Sequence, residues 1–380
     1  MIIKKIVLIL AMALIFSACG EKNITKQETP IQKEEQPKEV QPEENKKEYI
    51  RYEGKFELPV KGSTGFTTIP RELFIEPELE ADILGTIPGG KPFEIVEEIE
   101  GWWKIRYEQQ EGYVESSYCM INLPDVVPSI VYDGINTYAS KDRSSGKDIP
   151  GVTGQLIYPG TDYNERFSQE RFILPVLYGT AKKIHNIQQE ALENGETLVV
   201  YEGYRPLSAQ EVMVDGLENL AYNDEEVLAG IESPPWSMDW FAGRGVSNHQ
   251  YGYAIDLSLA LIKDQRMEYS GDYEYLEVTK HSDFQMPTAI NELSTRSIVF
   301  TEPVKPSSSE EWKNAKLAPT MTEYAIRLQK YCTDHGLTPL ASEWWHFNDL
   351  AEEDKMTNTD FTGQYVYKSL RSKPPVKLGD

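Results

Sequence analysis

Residue types that bind a catalytic metal occur in two short segments of this chain. His249 and Asp256 lie seven residues apart in the first segment, and His346 follows Glu343 by three residues in the second. Two imidazoles and one carboxylate can occupy three corners of a zinc tetrahedron and leave the fourth for water. Glu343 then remains as a general base for that water. The sequence therefore predicts one Zn²⁺ per chain on these three ligands.

The element that carries Asp256 is predicted to be a strand. In the segment 253–259, small or polar residues alternate with Ile255, Leu257 and Leu259. This period of two indicates a strand whose apolar face is turned to the core. Asp256 then lies on the open face, where a metal ligand belongs.

The second segment poses a geometric difficulty. Residues three apart on a regular strand point to opposite faces, yet Glu343 and His346 must approach one metal. The aromatic residues Trp344, Trp345 and Phe347 indicate a strand here. We therefore expect either a bulge or bend between Glu343 and His346, or a strand that begins after Glu343.

Other elements of this part of the chain are helices and separated strands. Apolar residues at helical spacing predict a helix over 177–191, and an apolar run predicts a buried strand over 197–201. A further helix is predicted with Ser208 as its cap, and a last helix over 323–334. This mixture indicates an α+β domain, which we place at 123–380.

The preceding segment, 49–122, contains short strand-like pieces. Turn sequences, Pro-Gly-Gly at 88–90 and Glu-Gly at 100–101, separate them. The order Gly-Trp-Trp-Lys-Ile-Arg-Tyr at 101–107, followed by Glu-Gly-Tyr-Val at 111–114, resembles a small all-β bacterial SH3-like barrel. Such modules often bind cell-wall peptides or position a catalytic partner. A passive spacer is the alternative interpretation.

The first residues predict export and a lipid anchor. Lys4 and Lys5 precede an apolar run, and small residues then precede Cys19. This pattern resembles a lipoprotein signal over 1–18, with a lipidated Cys19 as mature N-terminus; an ordinary signal peptide is the alternative. The segment 19–48, rich in Glu, Lys, Gln and Pro, predicts a disordered tether. We therefore expect a lipid-anchored protein on the extracytoplasmic face of the cell membrane.

The net charge excludes some classes of binding partner, and the cysteine positions bear on disulfide bonds. The formal net charge is −23, which argues against nucleic acid as a partner and against adhesion of the folded part to anionic lipid. Cys119 and Cys332 fall in different predicted domains, so no disulfide framework is expected.

Three motifs, taken in chain order, carry a family resemblance. They are Glu202-Gly-Tyr-Arg205-Pro, Ser247-x-His249-x-x-Gly-x-Ala-x-Asp256 and Glu343-Trp-Trp-His346. In this order they resemble the zinc D-alanyl-D-alanine dipeptidases of vancomycin resistance, which belong with the D,D-carboxypeptidases. The resemblance covers most of 123–367 and implies an α+β fold shared with the hedgehog signalling domain. It implies zinc on the three ligands above, Glu343 as general base and Arg205 at the developing oxyanion. Ser247 and Tyr138 match substrate-pocket positions of the family.

The resemblance implies hydrolysis of the D-Ala-D-Ala dipeptide or of D-Ala-terminated peptidoglycan peptides, but two departures concern the pocket. The family's aspartate that helps hold the dipeptide ammonium is Asn291 here, and Glu292 beside it should point elsewhere. The segment Lys141–Gly154 replaces a family loop. Since both changes line the presumed pocket, we predict tolerance of longer, N-blocked peptides.

Two other functions are compatible with the sequence. One is a D,D- or L,D-carboxypeptidase that trims longer stem peptides. The other is a non-enzymatic cell-wall-binding lipoprotein that retains a vestigial zinc site and acts through its SH3-like part. The complete ligand set together with Glu343 and Arg205 argues against a dead site.

Overall fold

The structure is a computed structural model, and it describes residues 48–356 and 362–377. The predicted signal peptide and all of the predicted tether except Glu48 lie outside the described residues. Within the described ranges, no helix has the length and apolar character needed to cross a membrane. From Glu48 onward the chain forms a single unit.

This unit contains both helices and sheets, in agreement with the predicted α+β class, and its first eight strands precede the first α-helix. The strands are β1 Ile50–Arg51, β2 Thr64–Thr67, β3 Arg71–Phe74, β4 Ile83–Ile87, β5 Pro92–Ile99, β6 Trp102–Tyr107, β7 Gln110–Glu115, β8 Cys119–Asn122, β9 Val131–Tyr132, β10 Arg143–Ser144, β11 Lys147–Asp148, β12 Thr161–Asn164, β13 Gln169–Phe172, β14 Pro175–Leu177, β15 Glu196–Glu202, β16 Ala254–Ser270, β17 Tyr273–Asp283, β18 Thr338–Leu340 and β19 Glu343–Asn348. The helices are α1 Leu123–Val126, α2 Tyr178–Glu193, α3 Leu207–Asn223, α4 Glu225–Ile231, α5 Asn248–Tyr251, α6 Glu323–Asp334 and α7 Leu350–Met356.

An 8-stranded sheet contains the SH3-like part, in the order β14-β8-β2-β5-β6-β7-β3-β4. Strand β6 lies within the segment 101–107 that resembles an SH3-like barrel, and its Trp103 and Ile105 are fully buried because alternate residues of a strand face the core. Strand β14 also belongs to this sheet, where it pairs with β8. Since β14 lies beyond residue 122, the two predicted domains share one sheet.

A 7-stranded sheet contains the long strand β16, with β15 on one side and β17 on the other. Strand β19 pairs with the first residues of β16, and helix α6 packs against β16. Asp256 lies opposite Glu202 of β15 and opposite His346 of β19. This register brings the ends of three strands to one point.

The pairing of β18 with β19 contains the expected irregularity. Pro339 lies opposite Phe347, whereas the next residue, Leu340, lies opposite Glu343. The residues between Glu343 and Phe347 therefore form a bulge, and a bulge re-aims side chains. The expectation of a bulge is confirmed, and Glu343 lies inside the strand rather than before it.

Local predictions were met along most of this region. The helix predicted over 323–334 is α6 and has these bounds, but it is not the last helix, because α7 follows it. The predicted buried strand is β15. The prediction that Ser208 caps a helix was wrong, because α3 already begins at Leu207 with Pro206 as its N-cap. Proline fits a helix start, where its fixed φ suits the first turn and no N–H is needed.

Candidate metal centre

Three buried side chains from three elements converge at the end of the 7-stranded sheet. His249 lies on α5, Asp256 on β16 and His346 on β19, and their ligand atoms lie within 4.8 Å of one another. His249 Nε2 is 3.3 Å from Asp256 Oδ2, and His346 Nδ1 is 3.1 Å from Asp256 Oδ1. The structure thus brings together the three predicted ligands.

A one-turn helix and a glycine set the spacing of the first two ligands. Helix α5 ends at Gly252, whose φ of 81° lies in the left-handed region and turns the chain into β16. A side chain at Gly252 would strain this left-handed backbone, and its Cβ would stand 2.6 Å from Met120 Cε, which would have to shift. Gln250 Nε2 also donates to the Arg205 carbonyl at 2.8 Å, which anchors the helix beside the site.

Each imidazole ring also makes a hydrogen bond through the nitrogen that points away from the site, and this bond determines its tautomer. His249 Nδ1 lies 2.7 Å from the Gly203 carbonyl, which can only accept, so Nδ1 carries the hydrogen. His346 Nε2 lies 3.0 Å from Asn348 Oδ1, which also accepts from Asn248 Nδ2 at 2.9 Å. We therefore assign the hydrogen of His346 to Nε2. Such partners are typical of metal-binding histidines.

This assignment leaves lone pairs facing each other. His249 Nε2 and His346 Nδ1 are 3.2 Å apart, and Asp256 Oδ1 is buried with no hydrogen-bond partner. Burial raises the pKa of Asp256, whereas positive charge on the two imidazoles lowers it more. When both rings are neutral with their lone pairs toward Asp256, a bound cation can supply this positive charge instead. Two lone pairs and an ionised carboxylate repel one another unless a cation lies between them. The donor set fits a divalent metal such as zinc.

Glu343 lies beside this centre without belonging to the ligand set. Its Oε2 is 3.8 Å from His346 Nδ1, and the side chain is buried. Burial raises the pKa of Glu343 to about 8, although the neighbouring His346 lowers it. A carboxyl group that titrates near neutral pH is suited to accept and return a proton.

Arg205 is held rigidly on the turn after β15. Its Nη1 bonds the Glu202 carboxylate, and its Nη2 donates to Gln210 Oε1 at 2.6 Å. Glu202 is itself fixed by Asn136 Nδ2 at 3.0 Å and by the Tyr158 hydroxyl at 2.7 Å. The Arg205 Nε–H is buried and has no partner. A fixed guanidinium with a donor to spare can stabilise a developing negative charge.

These groups share one cavity of about 320 Å³. Glu343, Arg205, Ser247 and Asn291 line it together with the three ligands, and the Ser247 hydroxyl is buried. Tyr138 is not among the lining residues. Its side chain is 46% exposed and its hydroxyl bonds Asp133, so the structure does not bring this predicted pocket residue to the site.

Comparison with known families agrees with this geometry. A family model described as D-ala-D-ala dipeptidase matches residues 166–364, which is more than half of the chain. The chain belongs to this family of peptidases. A model of the bacterial SH3 domain matches residues 73–119 of the same peptidase. Family membership supports peptides of peptidoglycan as the substrates of this peptidase.

The comparison with solved structures gives a more distant match. The LdcB LD-carboxypeptidase, a solved structure, is 15% identical to the peptidase, and the match covers 60% of this chain and 95% of that chain with a TM-score of 0.24. No curated protein was found to match the peptidase. The assignment therefore rests on the family model and on the site.

Three residues of the site region were given no role by the sequence analysis. Asp142 is fully buried in the cavity wall, within a segment already expected to line the pocket. Asn348 follows His346 by two residues on one strand, a spacing that places both side chains on one face. Glu202 belongs to the motif Glu202-Gly-Tyr-Arg205-Pro, and its carboxylate holds Arg205. The sequence places each of these three residues in a recognisable position, but it does not show which residue each of them contacts.

Glu292 points away from the cavity, as predicted. Its Oε2 accepts from the Gly146 backbone N–H at 3.0 Å, and its Oε1 accepts from the Ser294 hydroxyl at 2.5 Å. Both carboxylate oxygens are thus engaged in a loop outside the pocket.

Proposed function

We propose that this peptidase is a zinc enzyme that hydrolyses D-Ala-D-Ala or the last peptide bond of D-Ala-terminated peptidoglycan peptides. The supporting observation is the set of two imidazole lone pairs and one ionised carboxylate, which face one another with Glu343 beside them. When bound there, zinc supplies Lewis-acid chemistry, because it polarises a carbonyl group and acidifies water.

The side chains of the chain itself divide the remaining work. Glu343 accepts a proton from the attacking water and returns it to the leaving amine. Arg205 donates charge-assisted hydrogen bonds to the oxyanion, an interaction worth about 3 kcal/mol. The Ser247 hydroxyl, in the cavity wall, donates a hydrogen bond to the substrate backbone. Burial of all these groups keeps bulk water from competing for the same hydrogen bonds.

Trimming of longer stem peptides is the second candidate function. The observation that favours it is the uncharged Asn291 in the cavity wall, where the family has an aspartate for the ammonium of a dipeptide. A neutral acceptor gives a hydrogen bond about half as strong as a charged one. By itself, this residue predicts that N-blocked peptides are accepted.

We also propose that the peptidase is lipid-anchored through Cys19 on the extracytoplasmic face of the cell membrane, and that its SH3-like part contacts the cell wall. The signal features of the first 19 residues support the anchor. Labelling with a radioactive fatty acid in cells tests it: Cys19→Ala should abolish the label, and an equally labelled variant would refute the anchor.

The enzymatic proposal is tested by release of D-Ala. The full mature chain, loaded with one equivalent of zinc, is incubated with D-Ala-D-Ala and with a stem pentapeptide. We expect release from at least one substrate, loss of release after chelation and recovery when zinc is restored. No release from either substrate by the zinc-loaded protein would overturn the proposal and would favour a wall-binding protein with a vestigial site.

A further inference from the structure

A buried amide and a buried carboxylate form a pair in the wall of the catalytic cavity. Asn291 Nδ2 donates to Asp142 Oδ1 at 2.9 Å, and both residues line the cavity that contains the metal ligands. The two chain segments are tied by backbone hydrogen bonds, from Arg143 N to the Asn291 carbonyl at 2.9 Å and from Leu293 N to the Arg143 carbonyl at 2.7 Å. The pair is therefore a fixed part of the cavity.

The carboxylate determines which way the amide points. An ionised Asp142 can only accept hydrogen bonds, so the NH₂ group of Asn291 faces it and Asn291 Oδ1 is turned away. Asn291 is only 5% exposed, and its Oδ1 is buried without a hydrogen-bond partner. Leaving a buried acceptor unpaired is unfavourable, because the group loses its hydrogen bonds to water and gains none in return. A ligand that donates a hydrogen bond to this oxygen removes that cost.

The charge of Asp142 is also uncompensated by direct contact. Its side chain is fully buried and accepts from the Ser140 hydroxyl and from Asn291, both neutral groups. Its backbone is held as well, since the Thr153 hydroxyl donates to the Asp142 carbonyl at 2.5 Å. A buried charge without a bonded counter-ion favours a cationic ligand nearby.

We propose that Asn291 Oδ1 accepts a hydrogen bond from an ammonium group of the substrate, and that Asp142 acts behind it as a positioning residue that orients the amide and supplies the negative charge. This inference rests on the proposed peptidase function and names the chemistry of its substrate. The ammonium is either the free amino terminus of D-Ala-D-Ala or the side-chain amine of a diamino acid in a stem peptide. Asp142 thus reverses the expectation drawn from the neutral Asn291 alone.

The pair also predicts a pH dependence of substrate choice. Burial raises the pKa of Asp142 to about 6; Glu202 raises it too, whereas the hydrogen bonds of Ser140 and Asn291 and the charge of Arg205 lower it. Above this pH the carboxylate holds the amide with Oδ1 free. Below it the protonated acid can donate to Oδ1 itself, so the preference for an ammonium substrate should weaken.

The test compares kcat/KM for D-Ala-D-Ala and for its N-acetyl derivative, with the full mature chain loaded with zinc. The variants are Asp142→Asn and Asn291→Gly; glycine suits position 291 because its φ of 58° is left-handed. We expect the wild type to prefer the free amine and each variant to lower the ratio by about tenfold, mainly through KM. Asp148→Asn is the matched control, because Asp148 is an exposed carboxylate of the same segment, paired with Arg143.

A second arm distinguishes the two sources of the amine. Nα-acetyl-L-Lys-D-Ala-D-Ala is compared with its Nε-acetylated form in the same variants. If the variants lower the preference for the free amine only with the lysyl substrates, the subsite binds a side-chain amine. If they lower this preference only with the dipeptides, the subsite binds the amino terminus. Ratios near one for the wild type in both arms would overturn the inference while leaving the peptidase function intact, whereas absence of hydrolysis in every arm would overturn the function itself.

A further measurement needs no variant and so does not depend on how the variants fold. The preference of the wild type for the free amine is measured between pH 5 and 7, where the substrate amine stays largely charged. We expect the ratio to decline below about pH 6, since general effects of pH on catalysis cancel between the two substrates. A ratio that is constant across this range would contradict Asp142 as the source of the charge.

Discussion

His346 lies directly opposite Asp256 on adjacent antiparallel strands, with Nδ1 3.1 Å from Asp256 Oδ1. Sheet register therefore sets the distance between two of the three candidate ligands. A slip of one residue would turn His346 to the other face of the sheet and remove it from the site. The bulge opposite Leu340 adds Glu343 to the same side without altering this register.

Asn348, the hydrogen-bond partner of His346 Nε2, should contribute to metal affinity. In Asn348→Ala the His346 Nε2 hydrogen loses its acceptor, so the ring is no longer held with Nδ1 toward the metal. We expect zinc affinity to fall by about 10- to 100-fold, measured by competition with a chromophoric chelator. Asn223→Ala, at an exposed asparagine of α3, should leave affinity unchanged. Equal affinities in the two variants would show that Asn348 does not orient the ligand.

Local features of the site were accessible from the sequence. The helix Glu323–Asp334 has the bounds that the sequence predicted, and the Thr322 side chain, a neighbour in the chain, caps it. The bulge was one of the expected solutions to a geometric requirement, because Glu343 and His346 cannot reach one point from a regular strand. Both predictions needed only spacing and side-chain chemistry.

Contacts between segments that are distant in the chain could not be predicted in this way. Asp142 and Asn291 are 149 residues apart, and no periodicity of either segment indicates the hydrogen bond between them. The sharing of β14 between both parts of the chain likewise depends on pairing with β8, which pattern alone does not specify. Tyr138 matches a family position but is held outward by Asp133.

Glu343→Gln should separate metal binding from turnover. The amide keeps the shape of the side chain and leaves the three ligands in place, but it cannot accept a proton. We expect zinc content equal to that of the wild type and a loss of kcat by about 10²- to 10⁴-fold. A kcat close to that of the wild type would show that another group is the base.

Arg205→Lys should retain charge but lose geometry. Lysine cannot bond Glu202 and Gln210 at once while presenting a further donor to the cavity, as the planar guanidinium does. We expect kcat to fall by about 10²-fold with little change in zinc content. Steady-state kinetics on D-Ala-D-Ala provide the measurement. If KM alone changes, Arg205 binds the ground state and not the oxyanion.

Glu57 should make stability depend on pH. Burial raises the pKa of Glu57 from 4.5 to about 7, despite hydrogen bonds from Ser129 and Gln189. The folded state therefore keeps a proton that the unfolded chain releases above pH 4.5, and stability falls as pH rises through this window. The loss is at most about 3 kcal/mol, because water reaches part of this half-buried side chain.

The measurement for Glu57 is the free energy of unfolding in urea at pH 5 and pH 7.5. Glu57→Gln should lose less stability than the wild type between these values, since the amide does not titrate. Glu53→Gln, at an exposed glutamate of the same segment, is the control and should follow the wild type. Parallel curves for all three proteins would show that Glu57 is ionised without penalty in the folded state.

The zinc content of purified protein tests the central claim most directly. Elemental analysis of the full mature chain should find one zinc per chain in the wild type and in His281→Ala, which lies on β17 away from the site. His346→Ala should contain little or no zinc, because two remaining ligands compete poorly with water. Full zinc occupancy in His346→Ala, or no zinc in an active wild type, would contradict a metal centre on His249, Asp256 and His346.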